Sequence, residues 1–92
     1  MHALLVTVSI EPARLEEARA ALETNVVPMV KQAPGVVSAY WLAPTDRGQG
    51  FSMVLFESEE SARTAADGIP NAPRPEFVTF DTVEVREVVA QI

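Results

Sequence analysis

The sequence predicts an α+β fold in the order strand, helix, strand, strand, helix, strand, with an antiparallel sheet that needs a partner. Three observations carry this. Four segments alternate with the period of two that marks strands, two segments repeat apolar residues at three and four, and the second and third strands are apolar on both faces. Two helices cover one face of such a sheet, so the other face calls for a second cover. Another copy of the same sheet is the most economical one, and a homodimer is expected.

The elements follow in order. Leu4, Val6, Val8 and Ile10 alternate with Ala3, Leu5, Thr7 and Ser9, which places the first set toward a core. Pro12 suits a first helical turn because its missing N–H has no partner there anyway. Leu15, Ala18, Leu22, Val26, Met29 and Ala33 then form one apolar stripe. Pro28 opposes the carbonyl of Thr24 and disfavours helical geometry at Val27, so a kink or break is expected there before Pro34-Gly35 ends the helix.

Val36 to Ala43 reads as a strand with Val37, Ala39, Trp41 and Ala43 on one face and Val36, Ser38, Tyr40 and Leu42 on the other. The turn-rich residues Pro44 to Gly50 lead into a third strand, Phe51 to Glu57, and complete a hairpin. Ser58 is an N-cap candidate, Glu59 and Glu60 meet the positive end of the helix dipole, and Gly68 is a candidate helix stop. The inner stripe of this short helix is Ala62, Ala65, Ala66 and Ile69, small enough to let the backbone lie close to the sheet. Pro70, Pro73 and Pro75 suggest an extended connector. Thr79 to Val89 is the last strand, and its apolar residues switch from even (Val78, Phe80) to odd (Val83, Val85, Val89), which predicts a bulge near Asp81-Thr82.

Composition bounds the function. The 92 residues, 48% of them hydrophobic, suit one domain spanning 1–92. Thirteen acidic against seven basic residues give a net charge of −6, which argues against nucleic acid as a partner. The start of the chain lacks the basic region and small-residue cleavage pattern of an export signal, and no run approaches a membrane span, so a soluble, cytoplasmic protein without a membrane partner is expected. The absence of cysteine excludes disulfides and thiolate chemistry. With one histidine, no Gly-x-Ser-x-Gly and no phosphate loop, hydrolytic triads and nucleotide binding are excluded as well. Metal ligation would fall to carboxylates and His2 alone; neither a metal nor a cofactor is expected.

The Pro34-Gly35 stop before Val36-Val37-Ser38-Ala39-Tyr40-Trp41 and the run Leu55-Phe56-Glu57-Ser58-Glu59-Glu60-Ser61-Ala62 resemble the dimeric α/β barrel superfamily, near its antibiotic-biosynthesis monooxygenase-like group. The likeness covers nearly the whole chain, and its motifs report fold more than chemistry. It implies a ferredoxin-like protomer whose sheet pairs with a second one to form a dimeric α+β barrel, with a pocket between sheet and helices. Members of the superfamily include cofactor-free quinone-forming monooxygenases, haem-degrading enzymes, isomerases and proteins of no known activity. Haem-degrading relatives typically combine an asparagine on the first strand with a tryptophan and a histidine, whereas this strand offers Thr7 and Ser9, a departure that argues against haem degradation.

Four residues stand out as ligand-pocket candidates: Trp41, Asn25, Tyr40 and Arg63. Trp41 has small neighbours that leave room for a flat aromatic ligand; it would otherwise anchor a core or interface. Asn25 lies beside the apolar stripe of the kinked helix. Tyr40 and Trp41 are adjacent in a strand and point to opposite faces, so one pocket holds at most one of them. Arg63 and Arg74 suit an anionic substrate group at a pocket mouth, or plain surface positions. His2 is an acid–base or haem-ligand candidate, or a frayed terminal residue. No catalytic residue is assigned. The expected function is binding of a compact, mostly apolar or aromatic ligand, with cofactor-independent monooxygenation its most specific form and a non-catalytic dimerisation or ligand-sensing module the alternative.

Overall fold

The computed structural model describes residues 1–92, and its elements run in the expected order. Strands β1 (His2–Ile10), β2 (Val36–Leu42), β3 (Gln49–Phe56) and β4 (Val78–Glu87) form one antiparallel sheet in the order β2-β3-β1-β4. This is a ferredoxin-like arrangement, with the first strand and the hairpin's second strand at the centre. Both helices lie on the face that carries Leu4, Val6, Val54 and Phe56. These four residues and Ala62 of the second helix make the core cluster. No helix is long and apolar enough to cross a membrane.

The second helix (Glu59–Gly68) starts as its sequence requires. Ser58 is extended and its side chain accepts a hydrogen bond from the Ser61 N–H, while Glu59 and Glu60 occupy the first turn. Ala62 is fully buried, and Ala65, Ala66 and Ile69 pack around the core, so the small stripe does bring the helix close to the sheet. The α-helix does stop at Gly68, though not through a left-handed turn. Its φ of −79° is ordinary helical geometry, and the chain tightens into a 3-10 turn, Ile69–Asn71, that takes in Pro70. Proline tolerates the first turn of a helix, and Ile69 has a core to reach.

The first helix is one continuous path in three geometries. A 3-10 turn, Pro12–Arg14, leads to α-helix at Leu15–Ala21, a π turn at Leu22–Val26 and α-helix again at Val27–Lys31. Val27 donates to the Leu22 carbonyl five residues back. This widened turn precedes Pro28, which has no N–H for the Thr24 carbonyl and whose ring would crowd it. A π turn thus takes the place of the kink or break expected from the sequence. Gly35, at φ +81°, then adopts the left-handed conformation that turns the chain into β2.

Two bulges adjust the strands. Thr82 faces Thr7 and Phe80 faces Val8, so Asp81 is the additional residue on β4, at the place where the apolar pattern changes phase. The second was not expected: Val36 pairs with Phe56 and Ser38 with Leu55, leaving Val37 as the extra residue of β2. Val36 therefore packs on the core beside Ala39, and Val37 is exposed, the reverse of their simple alternation.

The loop between β2 and β3 closes over the end of β1 through Gly48. Its carbonyl accepts from the Ile10 N–H at 2.8 Å, its φ is +81°, and a Cβ there would lie 2.0 Å from the Ile10 carbonyl oxygen. Strain and backbone overlap act together, so Gly48→Ala is expected to lower stability by about 2–3 kcal/mol. An unchanged urea midpoint would contradict this account of the loop.

Candidate functional site

The first helix covers the sheet without sealing against it. None of its residues is buried, and it reaches the core only near its C-terminal end, through Val30 and Ala33. Upstream, Leu15, Leu22, Val26 and Met29 face a cleft of about 740 Å³ whose floor is Val6 and Val8 of β1, Trp41 of β2 and Phe80 of β4. The apolar stripe predicted for this helix is thus the roof of a cavity. Met29 shows how open that roof is, since it lines the cleft and is still 56% exposed.

The cleft has the volume of a small-molecule site and a largely apolar wall. Its ionisable lining consists of Glu16 and Arg19 on the first helix and Arg74 on the connector before β4. Arg74 is held by a 2.9 Å bond from its Nε to the Val78 carbonyl, and its guanidinium lies 5.7 Å from the centre of the Phe80 ring. Beyond the cleft, Arg14 stacks 4.2 Å above the buried Phe77 ring and pairs with Glu17 at 2.7 Å, which ties the start of the first helix to the start of β4. The hydrogen bond with Glu17 raises the Arg14 pKa, and the same bond holds the Glu17 carboxyl below the usual glutamate range.

Of the residues singled out in the sequence, Trp41 lines the cleft; Tyr40, Asn25 and Arg63 do not. Trp41 lies opposite Ser52 on the helix-covered face, while Tyr40, opposite Met53, is 54% exposed on the other. Asn25 falls in the π turn, where residues of one face recur at wider spacing; Ala21, Leu22 and Val26 line the cleft and Asn25 turns to solvent. Arg63 is on the exposed side of the second helix, paired with Glu59 at 2.9 Å. Arg74 lines the cleft, whereas His2 does not; its Nδ1 is buried without a hydrogen-bond partner. Thr7 and Ser9 point away from the cleft, bonded to Thr82 and Asp81 across the opposite face.

Arg19 and Phe80 belong to the lining and were not singled out in the sequence. Arg19 follows Ala18 and precedes Leu22 by three, at the edge of the helical stripe, which was the available signal. Phe80 is set beside Val8 by the bulge at Asp81.

The sheet's other face is divided. Near β2 and β3 it presents Tyr40, Leu42, Phe51, Met53, Leu55 and the adjoining Leu5; near β4 it presents Thr7, Ser9, Asp81, Thr82, Glu84 and Arg86. Tyr40, Leu42 and Phe51 are 54%, 59% and 37% exposed, an apolar area whose Leu42 and Phe51, at the end of the sheet, also border the cleft.

The sequence model of the family described as antibiotic biosynthesis monooxygenase matches residues 1–67. No curated protein sequence matches the chain. Among solved structures, the haem-degrader MhuD from Mycobacterium tuberculosis, with two haems bound in its active site, superposes with a TM-score of 0.78 at 17% identity, covering 100% of this chain and 99% of that one. The monooxygenase from ActVA-Orf6 of Streptomyces coelicolor, in complex with nanaomycin D, gives 0.65 at 17% identity over 99% of this chain and 89% of the other. SnoaB, a cofactor-independent oxygenase from Streptomyces nogalater, gives 0.61 at 13% identity over 99% and 96%. At these identities the structural likeness establishes the shared fold.

Proposed function

The chain belongs to the antibiotic biosynthesis monooxygenase family, and from that membership we propose a homodimer of one-domain subunits. Each subunit binds a compact, mostly apolar or aromatic ligand beside Trp41 and oxygenates it without a cofactor. The observation that carries this reading is the cleft itself: about 740 Å³ of apolar space between sheet and first helix, with the chain's one indole in its wall. A flat phenolic ring fits such a site by stacking and by burial of its apolar surface.

The chemistry follows from what the lining offers. It has no histidine and one carboxylate, Glu16, and in a cofactor-independent reaction the substrate itself supplies the electrons. A ring methylene activated by neighbouring phenols loses a proton to solvent, and the carbanion passes its electrons to dioxygen. One oxygen atom stays as the new carbonyl at that carbon and the other leaves as water with the two methylene hydrogens, so an anthrone-type ring becomes a quinone with no external reductant. The protein's part is to hold the ring in an apolar space whose open roof lets the proton pass to solvent, with Trp41 setting its plane.

Oxygen uptake on a panel of anthrones and hydroquinones tests the reading. Trp41→Ala is expected to lower kcat/KM at least tenfold, about 1.4 kcal/mol in the transition state, while Tyr40→Phe on the opposite face leaves it within twofold. Equal effects of both substitutions would contradict the assignment of the site. The shortage of acid–base groups in the lining favours one second reading, a ligand-sensing module. Ligand-induced thermal stabilisation without oxygen consumption would select it.

A further inference from the structure

Arginine pairing sets two residues of the cleft apart. The chain carries thirteen carboxylates and six arginines. Arg14, Arg63 and Arg86 are each paired with a carboxylate, Glu17, Glu59 and Glu84 respectively. Arg47 lies in the loop between β2 and β3. Arg19, Arg47 and Arg74 have no carboxylate partner, and of these three Arg19 and Arg74 line the cleft, one from the roof and one from the connector beside the floor. Against the single carboxylate of the lining, Glu16, the two arginines leave the edge of this apolar cavity with a net positive charge in an otherwise acidic protein.

Arg74 is also oriented. Its Nε is engaged by the Val78 carbonyl, and its guanidinium lies over Phe80, another residue of the wall. That arrangement leaves the two terminal nitrogens as the free donor pair, the geometry that receives a carboxylate or a phenolate. An anion entering an apolar cleft loses hydration at considerable cost unless donors of this kind replace the water.

Resting on the reading of the cleft as the ligand site, we infer that its ligand is an aromatic anion, a ring system bearing a carboxylate or ionised phenol, with the ring in the cleft beside Trp41 and the charged group at the mouth between Arg19 and Arg74. The field of the two arginines also favours the ionised over the neutral form of that group.

Two probes of nearly the same skeleton test this, anilinonaphthalene sulfonate and the uncharged N-phenylnaphthylamine, each titrated while the emission of the single tryptophan is followed. Both are expected to quench Trp41. Arg19→Gln and Arg74→Gln should each weaken sulfonate binding about five- to tenfold and leave the neutral probe within twofold, whereas Arg63→Gln should change neither. If the neutral probe binds and the Arg19→Gln/Arg74→Gln double variant holds the sulfonate as tightly as the parent, the anion inference is wrong while the cleft remains a ligand site. If neither probe quenches Trp41, the cleft reading fails along with it.

Discussion

Exchanging Tyr40 for lysine and Met53 for glutamate is expected to halve the mass of the protein in solution, from twice the 10.0 kDa of one chain to the single chain. The two residues face each other across β2 and β3 on the side of the sheet that no helix covers. In an isolated subunit the new charges pair across the strands and remain in water, so the fold is not asked to bury them. In the proposed face-to-face dimer both would be removed from water in the middle of an apolar contact, where each costs several kcal/mol. Because 1.4 kcal/mol is a factor of ten, the dissociation constant should rise at least a hundredfold. Sedimentation at low micromolar concentration reads the outcome. A parent protein that sediments as a single chain would remove the premise, and a double variant that stays dimeric would place the contact elsewhere.

The proposed contact would account for the low burial. Only nine of 92 residues are buried, although nearly half the chain is apolar. The uncovered apolar side chains fall in two places, the cleft and the outer face of β2 and β3, and each suits a different cover. A ligand fits the concave surface. A second sheet fits the flat one at the spacing of about 10 Å common to stacked sheets.

Phe56→Ala is expected to have the largest effect on stability. Phe56 is 2% exposed and stands where β3 meets β1, the second helix and the end of the first, in the core cluster with Leu4, Val6, Val54 and Ala62. Removing the ring loses its transfer free energy and leaves a void that this part of the molecule cannot refill, for a cost of about 3–5 kcal/mol. A domain of this size has roughly 5–15 kcal/mol in all, so the variant should be close to unfolding at 37 °C. Phe80→Ala is the informative comparison. Both rings reach the cleft, but Phe80 is only partly buried, so its removal gives up less transfer free energy and should cost about half as much. Urea unfolding at one fixed protein concentration measures both, since association contributes to apparent stability. Equal losses would mean that the cleft is closed and packed in solution.

The differing reach of sequence reasoning is visible in the two bulges. In β4 the phase change from Phe80 to Val83 disclosed Asp81, because one face of that strand is polar and a slip breaks the pattern. In β2 both faces are apolar, so the extra residue Val37 left no trace, and Val36 was placed on the wrong side. A similar ambiguity surrounded Trp41. Adjacent strand residues must face opposite ways, so Tyr40 and Trp41 were separable in the sequence, but which of them met the helices was not.

The first helix shows the same limit in another form. Its apolar stripe was legible, and so was the disturbance at Pro28. That the stripe roofs a cavity was not, because periodicity reports which side chains avoid water and is silent about what stands opposite them. The order of the elements, the capped second helix and the apolar character of both faces of β2 and β3 followed from residue pattern, because each depends on local geometry, while the ferredoxin-like protomer was implied by the family resemblance. The stand-off between the first helix and the sheet, the exclusion of Asn25 by the π turn and the meeting of Arg19 with Arg74 at one cleft were decided by tertiary structure. They depend on distances between segments remote in the chain, and no local pattern of residues encodes such a distance.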